Sequence, residues 1–476
     1  MSGEVLVIGA GPSGLAAATY LARAGAHVIV LEAEAEVGGR CANRLGVGAF
    51  AVPSGPPALQ ALDPRVVKEL KLARLGLAFA VRDLPLTGLR IDGKPLVLGR
   101  DLHEAHCAIA PLSQRDAERY GEFRRSQFDL ARAMRAVWWE DGDLAREEHR
   151  RELHRLALTS AATLLESVFE SDALKAAFAF DALAGGLSPS SAGSSLTLLW
   201  QAAQEMCGLQ GAFAIPRGGP AALAGVLLKA AQNAGVEVRT GCKVTQLLLE
   251  DDAVTGAVVA RGDVILAGTV LSSLSRRTTL LAFLPPGAAG FAVTHDLERP
   301  QPVGEGKLVL ALNTLPAAFQ QPARTVIAER LEDAAVAYAQ ASAGRVPSDP
   351  MLEATLLQTG AEPPFLLSVQ IRPLPVEPVD PPGAFTTRLL QTVLRSLERH
   401  APELTANVAA FGLHPPQPCD RLTAAHITAS WRERILTPVR GLFLCGDAAE
   451  PVPAVSCRAA RIAAGFAAAE MKRGRP

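Results

Sequence analysis

The glycine pattern in the first forty residues constrains this chain more than any other feature of it. The apolar residues 5–8 predict a buried parallel strand, and Gly9, Gly11 and Gly14 follow it at the spacing of a turn that opens a helix. In this pattern Gly9 permits the tight turn, Gly11 lets the backbone approach a pyrophosphate, and Gly14 lets helix and strand pack closely. The sequence therefore predicts the first half of a dinucleotide-binding βαβ unit.

The residues around this turn complete the unit. Pro12 and Ser13 begin the helix, whose free N–H groups and partial positive charge suit phosphate oxygens. A second apolar strand, residues 27–31, ends in Glu32, which is placed to accept hydrogen bonds from a ribose. Because strand, glycines, helix and acidic strand end occur in order, a glycine turn of some other α/β protein explains the pattern poorly.

A Gly-Gly-Arg step shortly after Glu32 distinguishes FAD from NAD. The pair Gly38 and Gly39 lets the chain pass close to the pyrophosphate, and the fork of Arg40 suits its oxygens. Residues 5–40 closely resemble the FAD fingerprint of the amine oxidase and phytoene desaturase superfamily. The resemblance implies FAD as the cofactor. We expect it to be bound non-covalently, because no cysteine or histidine stands in a recognised flavin-linkage motif.

Charge and cysteine usage exclude several classes of protein. A net charge of −1 provides no electrostatic footprint for nucleic acid. The seven cysteines are scattered without a CxxC pair, which argues against a metal site and fits a reducing compartment. No apolar run approaches the ~18 to 20 residues of a membrane span, and the first strand begins too early for a secretory signal to precede it. We expect a cytoplasmic protein, with peripheral membrane contact left open and the oligomeric state undetermined.

The order of the predicted elements indicates an α/β fold with a discontinuous cofactor domain. Residues 113–205 are mostly helical, and residues 236–273 contain short apolar strands that we expect to return to the nucleotide-binding sheet. We therefore predict a Rossmann-type FAD-binding domain beside an α+β substrate domain with a helical cap. The FAD-binding domain is assigned residues 1–60, 206–290 and 431–476, and the substrate-binding domain residues 61–205 and 291–430.

The resemblance extends over most of the chain. The chain looks like the bacterial phytoene-dehydrogenase-related branch of the superfamily, which includes the pyridine-nucleotide-disulphide-oxidoreductase-domain-containing proteins of mitochondria. The stretches that carry the resemblance are residues 5–40, 64–70 with 91–93, 216–273, 307–316 and 441–464.

This resemblance implies further cofactor contacts. Val244 would lie against the adenine with its backbone paired to the ring. Gly446 and Asp447 end a buried strand, and Asp447 would accept a hydrogen bond from the ribityl chain; a plain helix cap is the alternative role for Asp447. Val455 and Ser456 would open the last helix beneath the flavin, where a helix N-terminus stabilises the negative charge of the reduced ring.

Two departures from the family weaken the transfer of any relative's substrate. Relatives commonly carry His-Pro-Gly-Gly-Gly before the final helix, whereas this chain has Glu-Pro-Val-Pro-Ala at residues 450–454. We therefore expect Glu450 in the flavin-side wall of the substrate pocket. The aromatic cage and the Trp-x-Gly-Tyr-Met end of monoamine oxidases are missing, and three tyrosines in the whole chain make an aromatic sandwich for an amine hard to build.

Lys307 is the candidate catalytic residue. Amine oxidases carry a lysine on a strand of similar pattern, hydrogen-bonded through water to flavin N5, and residues 303–309 are similar. A lysine buried there would assist reoxidation of the flavin by oxygen, because positive charge stabilises developing superoxide. An ordinary lysine at a strand edge is the alternative. The nine histidines show no local partner pattern, so no general base is identified.

Together these features predict an FAD-dependent oxidoreductase that oxidises, by desaturation, a largely apolar organic substrate through hydride transfer to flavin. No second glycine fingerprint occurs, so oxygen or a quinone is the expected electron acceptor. An amine or amino-acid oxidase shares the fold and remains an alternative. A non-catalytic binder on the same fold is a second alternative, against which the intact set of Glu32, Arg40 and Asp447 argues.

Overall fold

The computed structural model describes residues 4–91, 93–140, 142, 144–299, 302–357, 362–418, 429–450 and 454–473. Within these residues the strands are β1 (Glu4–Ile8), β2 (His27–Leu31), β3 (Asn43–Val47), β4 (Phe50–Pro53), β5 (Phe79–Val81), β6 (Leu86–Leu89), β7 (Leu96–Leu98), β8 (Glu205–Met206), β9 (Leu209–Gln210), β10 (Ile215–Pro216), β11 (Glu237–Arg239), β12 (Val244–Glu250), β13 (Ala253–Val259), β14 (Val264–Leu266), β15 (Thr269–Ser272), β16 (Val303–Leu312), β17 (Arg324–Ile327), β18 (Met351–Leu356), β19 (Phe365–Pro375), β20 (Val408–Pro418) and β21 (Leu442–Leu444).

The α-helices of the described residues are α1 (Pro12–Arg23), α2 (Pro64–Glu69), α3 (Leu102–Ile109), α4 (Gln114–Glu140), α5 (Glu147–Leu158), α6 (Ala161–Val168), α7 (Asp172–Ala177), α8 (Ala179–Ala182), α9 (Ser195–Ala203), α10 (Pro220–Asn233), α11 (Phe291–Glu298), α12 (Leu331–Ser342), α13 (Pro382–His400), α14 (Trp431–Ile435) and α15 (Arg458–Arg473). None of these helices has both the length and the apolarity to cross a bilayer.

A five-stranded parallel sheet forms the nucleotide-binding side of the molecule. Its strand order is β11-β2-β1-β15-β21, and α1 packs against α10 and α15 on one face. Apolar residues fill β1 and β2 almost completely, as strands covered on both faces require. The sheet draws strands from three separated parts of the chain, and this confirms the predicted α/β fold with a discontinuous Rossmann-type unit.

Strands β12, β13 and β14 depart from the expected return to that sheet. They pair with one another as a separate antiparallel sheet. Of the strands between residues 236 and 273, β11 and β15 join the parallel sheet. The reason lies in the turn between β12 and β13, where Asp251 and Asp252 both have positive φ angles, of 46° and 59°. Two such residues in succession favour a tight hairpin turn, so β13 folds back onto β12 instead of crossing over.

A seven-stranded sheet forms the second layer, with the order β20-β16-β19-β18-β17-β6-β7. All its pairs are antiparallel except β17 with β6. One face is apolar and packs against α13 through residues such as Leu308, Val369 and Leu389. The other face carries several polar side chains: Glu305, Lys307, Glu353 and Gln370 are buried, and Arg372 is half-buried. We call this second surface the polar sheet face.

Helices α3 to α9 form the helical cap that the sequence predicts. Their apolar sides share one core, in which the Trp138 and Trp200 rings meet edge to face at 5.2 Å between centroids. This core also takes up Leu96 and Val326 from the seven-stranded sheet, so the cap is packed on that sheet. The residue boundaries assigned to the two domains from sequence remain a prediction.

Candidate cofactor-binding and active site

The turn between β1 and α1 accepts only glycine at two positions. Gly9 has a φ of +92°, and a Cβ atom there would lie 2.4 Å from the Ser273 hydroxyl oxygen. A Cβ atom on Gly14 would lie 1.9 Å from the carbonyl oxygen of Gly9. The Ser273 hydroxyl donates to the Ile8 carbonyl at 2.8 Å, which ties the turn to the end of β15. Side chains are therefore excluded at Gly9 and Gly14, and the Ser273 hydroxyl holds the turn against the end of β15.

Next to this turn two glycine segments form a bare cradle. Gly11 precedes α1 without a side-chain cap, with Pro12 at the first helical position and Ser13 half-buried after it. A Cβ atom on Gly11 would meet nothing closer than the Gly39 Cα at 3.9 Å, and Gly38 and Gly39 both have positive φ angles. Uncapped N–H groups at a helix start attract anions. The space between Gly11 and Gly39 suits a diphosphate, because among the described residues no side-chain atom lies within 4 Å of a Cβ position on either glycine.

Glu32 is buried beside the cradle and organises it. One carboxylate oxygen accepts the Ala10 N–H at 2.7 Å and the other accepts the Glu34 N–H at 3.0 Å. An ionised carboxylate has about four acceptor sites, so capacity for a ribose remains. The Cys242 N–H donates to the Glu32 carbonyl at 2.8 Å, which brings the start of β12 and the buried Val244 to the same end of the sheet.

Arg40 connects the Gly-Gly-Arg step to the polar sheet face. Its guanidinium binds Glu305 at 2.7 Å, and Arg372 binds the other oxygen of Glu305 at 2.6 Å. Burial alone would raise the pKa of Glu305, but Arg372 and Arg40 outweigh it and hold that pKa at about 2. The Arg372 guanidinium also lies 4.5 Å above the Phe180 ring of α8. The sequence offered Arg40 for the pyrophosphate and gave no sign of its pairing with Glu305.

Lys307 lies in the interior of the seven-stranded sheet, since β16 has β20 and β19 on its two sides. It is 2% exposed, and its ammonium donates to the carbonyls of Pro53 at 2.6 Å and Gly55 at 2.7 Å. Burial and then the neighbouring Arg40 charge lower the pKa of Lys307 to about 7. Two of its three N–H donors have carbonyl acceptors, and no further acceptor is found among the described residues. The placement differs from that of an ordinary strand-edge lysine.

Cys41 marks the point where the predicted residues converge. Burial and, to a smaller extent, Asp447 raise the pKa of its thiol to about 12, while Arg40 and Lys307 act in the opposite direction. The carboxylate, the guanidinium and the ammonium therefore each lie close enough to Cys41 to act on its thiol, although they are far apart in sequence. The structure brings together the Gly-Gly-Arg step, the strand lysine and the C-terminal aspartate.

Ser273 joins the two glycine turns of the site. A Cβ atom on Gly446 would lie 2.3 Å from the Ser273 carbonyl oxygen, as close an approach as the one at Gly9. Gly446 ends the β21 segment, and Asp447 begins a single 3-10 turn, Asp447–Ala449. Sequence reasoning assigned no role to Ser273. The signal that could have found it is a small hydroxyl residue directly after a buried parallel strand.

Glu450 lies in a buried ionic cluster. Its side chain is 1% exposed, accepts a hydrogen bond from the Ser456 hydroxyl and lies 3.5 Å from the Arg458 guanidinium. Arg458 also pairs with Asp63 at 3.4 Å and lies 4.2 Å above the Trp139 ring. The carboxylate is thus directed towards the start of the last helix. Its place in the wall of the substrate pocket stays a prediction.

The last helix begins later than expected. α15 starts at Arg458, whereas the sequence predicted a start at Val455. Cys457 has a φ of +55°, a left-handed conformation that cannot continue into a right-handed helix. The Ser456 hydroxyl accepts the Arg458 N–H at 2.9 Å and so satisfies one of the first helical donors. Val455 is half-buried, and residues 451–453 of the altered motif lie outside the described residues.

Comparison with known proteins places this geometry in a family. A model of flavin-containing amine oxidoreductases matches residues 12–288, more than half of the chain. The pyridine nucleotide-disulfide oxidoreductase domain-containing protein 2 of Rattus norvegicus is 29% identical over 356 residues, which are 66% of this chain and 60% of that protein. The phytoene dehydrogenase of Streptomyces griseus is 31% identical over 273 residues, or 54% of this chain and 51% of that enzyme. The chain thus spans about 60% or less of the length of these relatives.

A solved structure shows the same fold. Wild-type putrescine oxidase bound to putrescine superposes with a TM-score of 0.64 at 15% identity, covering 99% of both chains. In the part of the chain that the structure describes, no group of three or more His, Cys, Asp or Glu side chains could hold a metal ion. The predicted resemblance is confirmed, and the bare glycine cradle fits the expected dinucleotide. The chain belongs to the flavin-containing amine oxidoreductase family, with FAD as its cofactor.

Proposed function

We propose that this protein is an FAD-dependent oxidoreductase that removes two hydrogens from a largely apolar organic substrate and leaves a new double bond. FAD, when bound, would supply the hydride acceptor, with oxygen or a quinone as the final electron acceptor. Family membership supports the cofactor chemistry, and the likeness to a phytoene dehydrogenase supports an apolar substrate. An amine or amino-acid oxidase is the competing proposal, on the same cofactor and fold.

The chain's own residues have three tasks in this proposal. The Gly11 and Gly39 cradle with the start of α1 holds the diphosphate, and Glu32 holds the ribose. Asp447 accepts from the ribityl chain, and Val244 lies against the adenine. Lys307 is the charge-bearing group in a water-poor site, because its surroundings leave it 2% exposed. When protonated, it favours negative charge that develops on an oxygen molecule nearby.

The positions of the tyrosines favour an apolar substrate over an amine. The chain has three tyrosines, and an amine cage of the monoamine oxidase kind needs two of them together. The Tyr20 hydroxyl donates to Glu69 at 2.6 Å, and the Tyr338 hydroxyl donates to the Gly186 carbonyl at 3.2 Å. Tyr120 belongs to the core of the helical cap. These positions leave no tyrosine pair to enclose an amine.

Anaerobic flavin bleaching tests the proposal. The purified yellow protein is mixed without oxygen with isoprenoid hydrocarbons in detergent and, in parallel, with primary amines and amino acids. We expect loss of the flavin absorbance with a hydrocarbon and none with the amines. Bleaching by amines alone would establish the competing proposal. No bleaching by either set, in a protein whose flavin dithionite still reduces, would contradict both and favour a binder. Readmission of air or of a quinone then identifies the electron acceptor.

Denaturation tests the predicted non-covalent attachment of the cofactor. Acid precipitation of the protein should release all of the yellow colour into the supernatant, because we place no covalent link between the flavin and a side chain. The buried Cys457 is the residue near the predicted ring position that could form one. Flavin that stays on the precipitated polypeptide would contradict this expectation.

A further inference from the structure

Two cavities lie in the helical cap, outside the cofactor site. The inner cavity, of about 230 Å³, lies between the helices α3, α4, α8 and α9 and the strands β6, β7 and β17 of the seven-stranded sheet. The outer cavity, of about 390 Å³, opens to the surface between α4, α5, α6 and α9. Gln127 and Leu198 line both cavities and form the partition between them. The inner cavity alone is smaller than a typical ligand pocket, whereas the two joined fall within the usual range.

Helix α4 presents a different stripe of side chains to each cavity. Tyr120, Arg124 and Phe128 recur every four residues and face the inner cavity. Phe123 and Leu130, on the next stripe, face the outer cavity. Because a helix offers separate faces at this spacing, the partition lies along the helix itself.

The inner cavity contains a cation without a carboxylate partner. Among the described residues Arg124 has no acidic group within ion-pair distance; its guanidinium donates to the Gln127 side-chain oxygen at 2.7 Å and lies 4.4 Å above the Phe128 ring. The other two arginines of this cavity are neutralised: Arg100 binds Asp83 at 2.8 Å, and Arg324 binds two buried carboxylates. Arg124 is therefore the group in this cavity that lacks a counter-charge.

A second polar group, the Tyr120 hydroxyl, also lines the inner cavity. Tyr120 as a whole is 3% exposed, and its ring belongs to the core of the helical cap. Tyr120 and Arg124 lie one helical turn apart on the same side of α4. A hydroxyl donor beside an arginine fork suits the two oxygens of a carboxylate.

The outer cavity has the opposite character. Its interior is made of apolar side chains from four helices, and its rim carries charges such as Arg119 and Glu152. The apolar members are Phe123, Leu130, Leu156, Leu164, Val168, Leu198 and Leu199. An apolar cavity that opens to solvent suits a hydrocarbon chain.

We propose that the helical cap binds a long-chain carboxylate, with the carboxylate on Arg124 and Tyr120 and the chain in the outer cavity. The carboxylate replaces Gln127 as the partner of Arg124. Gln127 then turns aside, which also breaks its hydrogen bond to the Leu198 carbonyl (3.2 Å), and the two cavities join. The site is separate from Lys307, since the strand β17 that carries Arg324 is three strands, about 14 Å, from β16.

Ligand titration of the FAD-loaded protein tests this site. Dodecanoate and 1-dodecanol, below their micellar concentrations, serve as a charged and an uncharged probe of equal chain length. We expect dodecanoate to bind more tightly. Arg124→Met should weaken dodecanoate about 10- to 100-fold, as expected for loss of a charge-assisted hydrogen bond, and leave dodecanol unchanged. Tyr120→Phe should have a smaller effect in the same direction.

Two controls keep the test specific. Arg125→Met removes an exposed arginine one position along the same helix and should change neither affinity. Ser126→Trp adds bulk at the exposed rim of the outer cavity and should weaken dodecanoate while sparing hexanoate. Flavin content and melting temperature establish that each variant is folded. Equal affinities for dodecanoate and dodecanol, or equal losses in Arg124→Met and Arg125→Met, would overturn the proposal.

Discussion

The cofactor cradle and the polar sheet face meet at Arg40 but are built on opposite principles. The cradle is made from the absence of side chains: Gly11 and Gly39 lie side by side, and the first N–H groups of α1 are uncapped. The polar sheet face is made from charges that already have protein partners, above all Glu305 between Arg40 and Arg372. The cradle offers unpaired N–H donors to the charge of a ligand, whereas the charges of the polar sheet face are paired with one another.

This difference predicts how each region responds to change. A substitution in the cradle alters the space and the donors that FAD needs, so its effect appears in flavin content. A substitution on the polar sheet face leaves a buried charge without its partner, so its effect appears first in stability. Lys307 belongs to the second region by position, yet its pKa of about 7 lets it change charge near neutral pH. A substitution of Lys307 can therefore affect the flavin reaction as well as the stability of the fold.

Three glycine-to-alanine changes give the sharpest contrast. Gly14→Ala should abolish flavin binding and destabilise the fold by about 3 kcal/mol or more, because the new Cβ lies 1.9 Å from a backbone oxygen. Gly11→Ala should keep the melting temperature and lose at least about tenfold in FAD affinity, because its Cβ fills only the cradle. Gly465→Ala, in open space inside α15, is the control: it should leave flavin binding unchanged and raise stability by about 0.5 to 1 kcal/mol, because alanine favours a helix more than glycine does. Flavin-to-protein absorbance ratios and thermal melts measure both effects. Full flavin in Gly11→Ala would place the diphosphate elsewhere.

Lys307→Met should preserve fold and flavin content while slowing reoxidation of the flavin by oxygen about 10²- to 10³-fold. Methionine keeps the apolar stem, so little packing is lost. Because the pKa of Lys307 is about 7 and not 10.5, its positive charge is present below pH 7 and disappears above it. The wild-type rate should therefore fall as the pH rises through 7, and the rate of the variant should not.

Stopped-flow mixing of dithionite-reduced protein with oxygenated buffer measures this step without a known substrate. Lys229→Met, on an exposed face of α10, is the matched control and should keep the wild-type rate. Equal rates in wild type and Lys307→Met would return Lys307 to a structural role or exclude oxygen as the acceptor.

Glu305→Gln should lower the free energy of unfolding by about 3 kcal/mol, because Arg372 and Arg40 lose their shared counter-charge. The value lies at the low end of the range for buried pairs, since the Arg40 side chain is 47% exposed. The pKa of Glu305 is about 2 in the folded protein, below its ordinary 4.5. Its contribution to stability is therefore complete above pH 4.5 and lost as the pH falls towards 2.

Urea denaturation at pH 7 and pH 3 measures this effect. The difference in stability between wild type and Glu305→Gln should shrink at pH 3. Glu470→Gln, an exposed position on α15, should match the wild type at both values. A difference that is independent of pH would mean that the carboxylate charge is not what holds the two arginines.

Glu32→Ala should reduce FAD affinity at least about tenfold, since each hydrogen bond to a charged acceptor contributes about 1.5 to 3 kcal/mol. The same change frees the N–H groups of Ala10 and Glu34, so a modest loss of stability should accompany it. Glu34→Ala keeps the backbone donor and removes only an exposed carboxylate, which makes it the control. Titration of the apoprotein with FAD measures both. Unchanged affinity in Glu32→Ala would mean that the ribose is held by another group.

Local sequence was a good guide where one segment supplies its own geometry. The glycines of the first turn and Glu32 at the end of β2 are local matters of φ, ψ and strand length. The hairpin at Asp251 was not predicted from the sequence, although its two positive φ angles are also a local feature. The expected start of the last helix at Val455 was wrong because the left-handed Cys457 interrupts the pattern. The expected return of β12 to β14 was wrong because apolar strands alone do not say which partner they take.

By itself the sequence determined the fold class, the FAD-binding turn and the family, because glycine spacing and strand periodicity act within about forty residues. Only the tertiary structure decided the charge partners of the site. Arg40 and Glu305 are 265 residues apart in sequence, and Lys307 and Pro53 are 254 residues apart. Such pairings depend on how two sheets pack against each other, and no short segment encodes that packing. The electrostatics of the site, including the neutral-range pKa of Lys307, therefore arise only when the chain is folded.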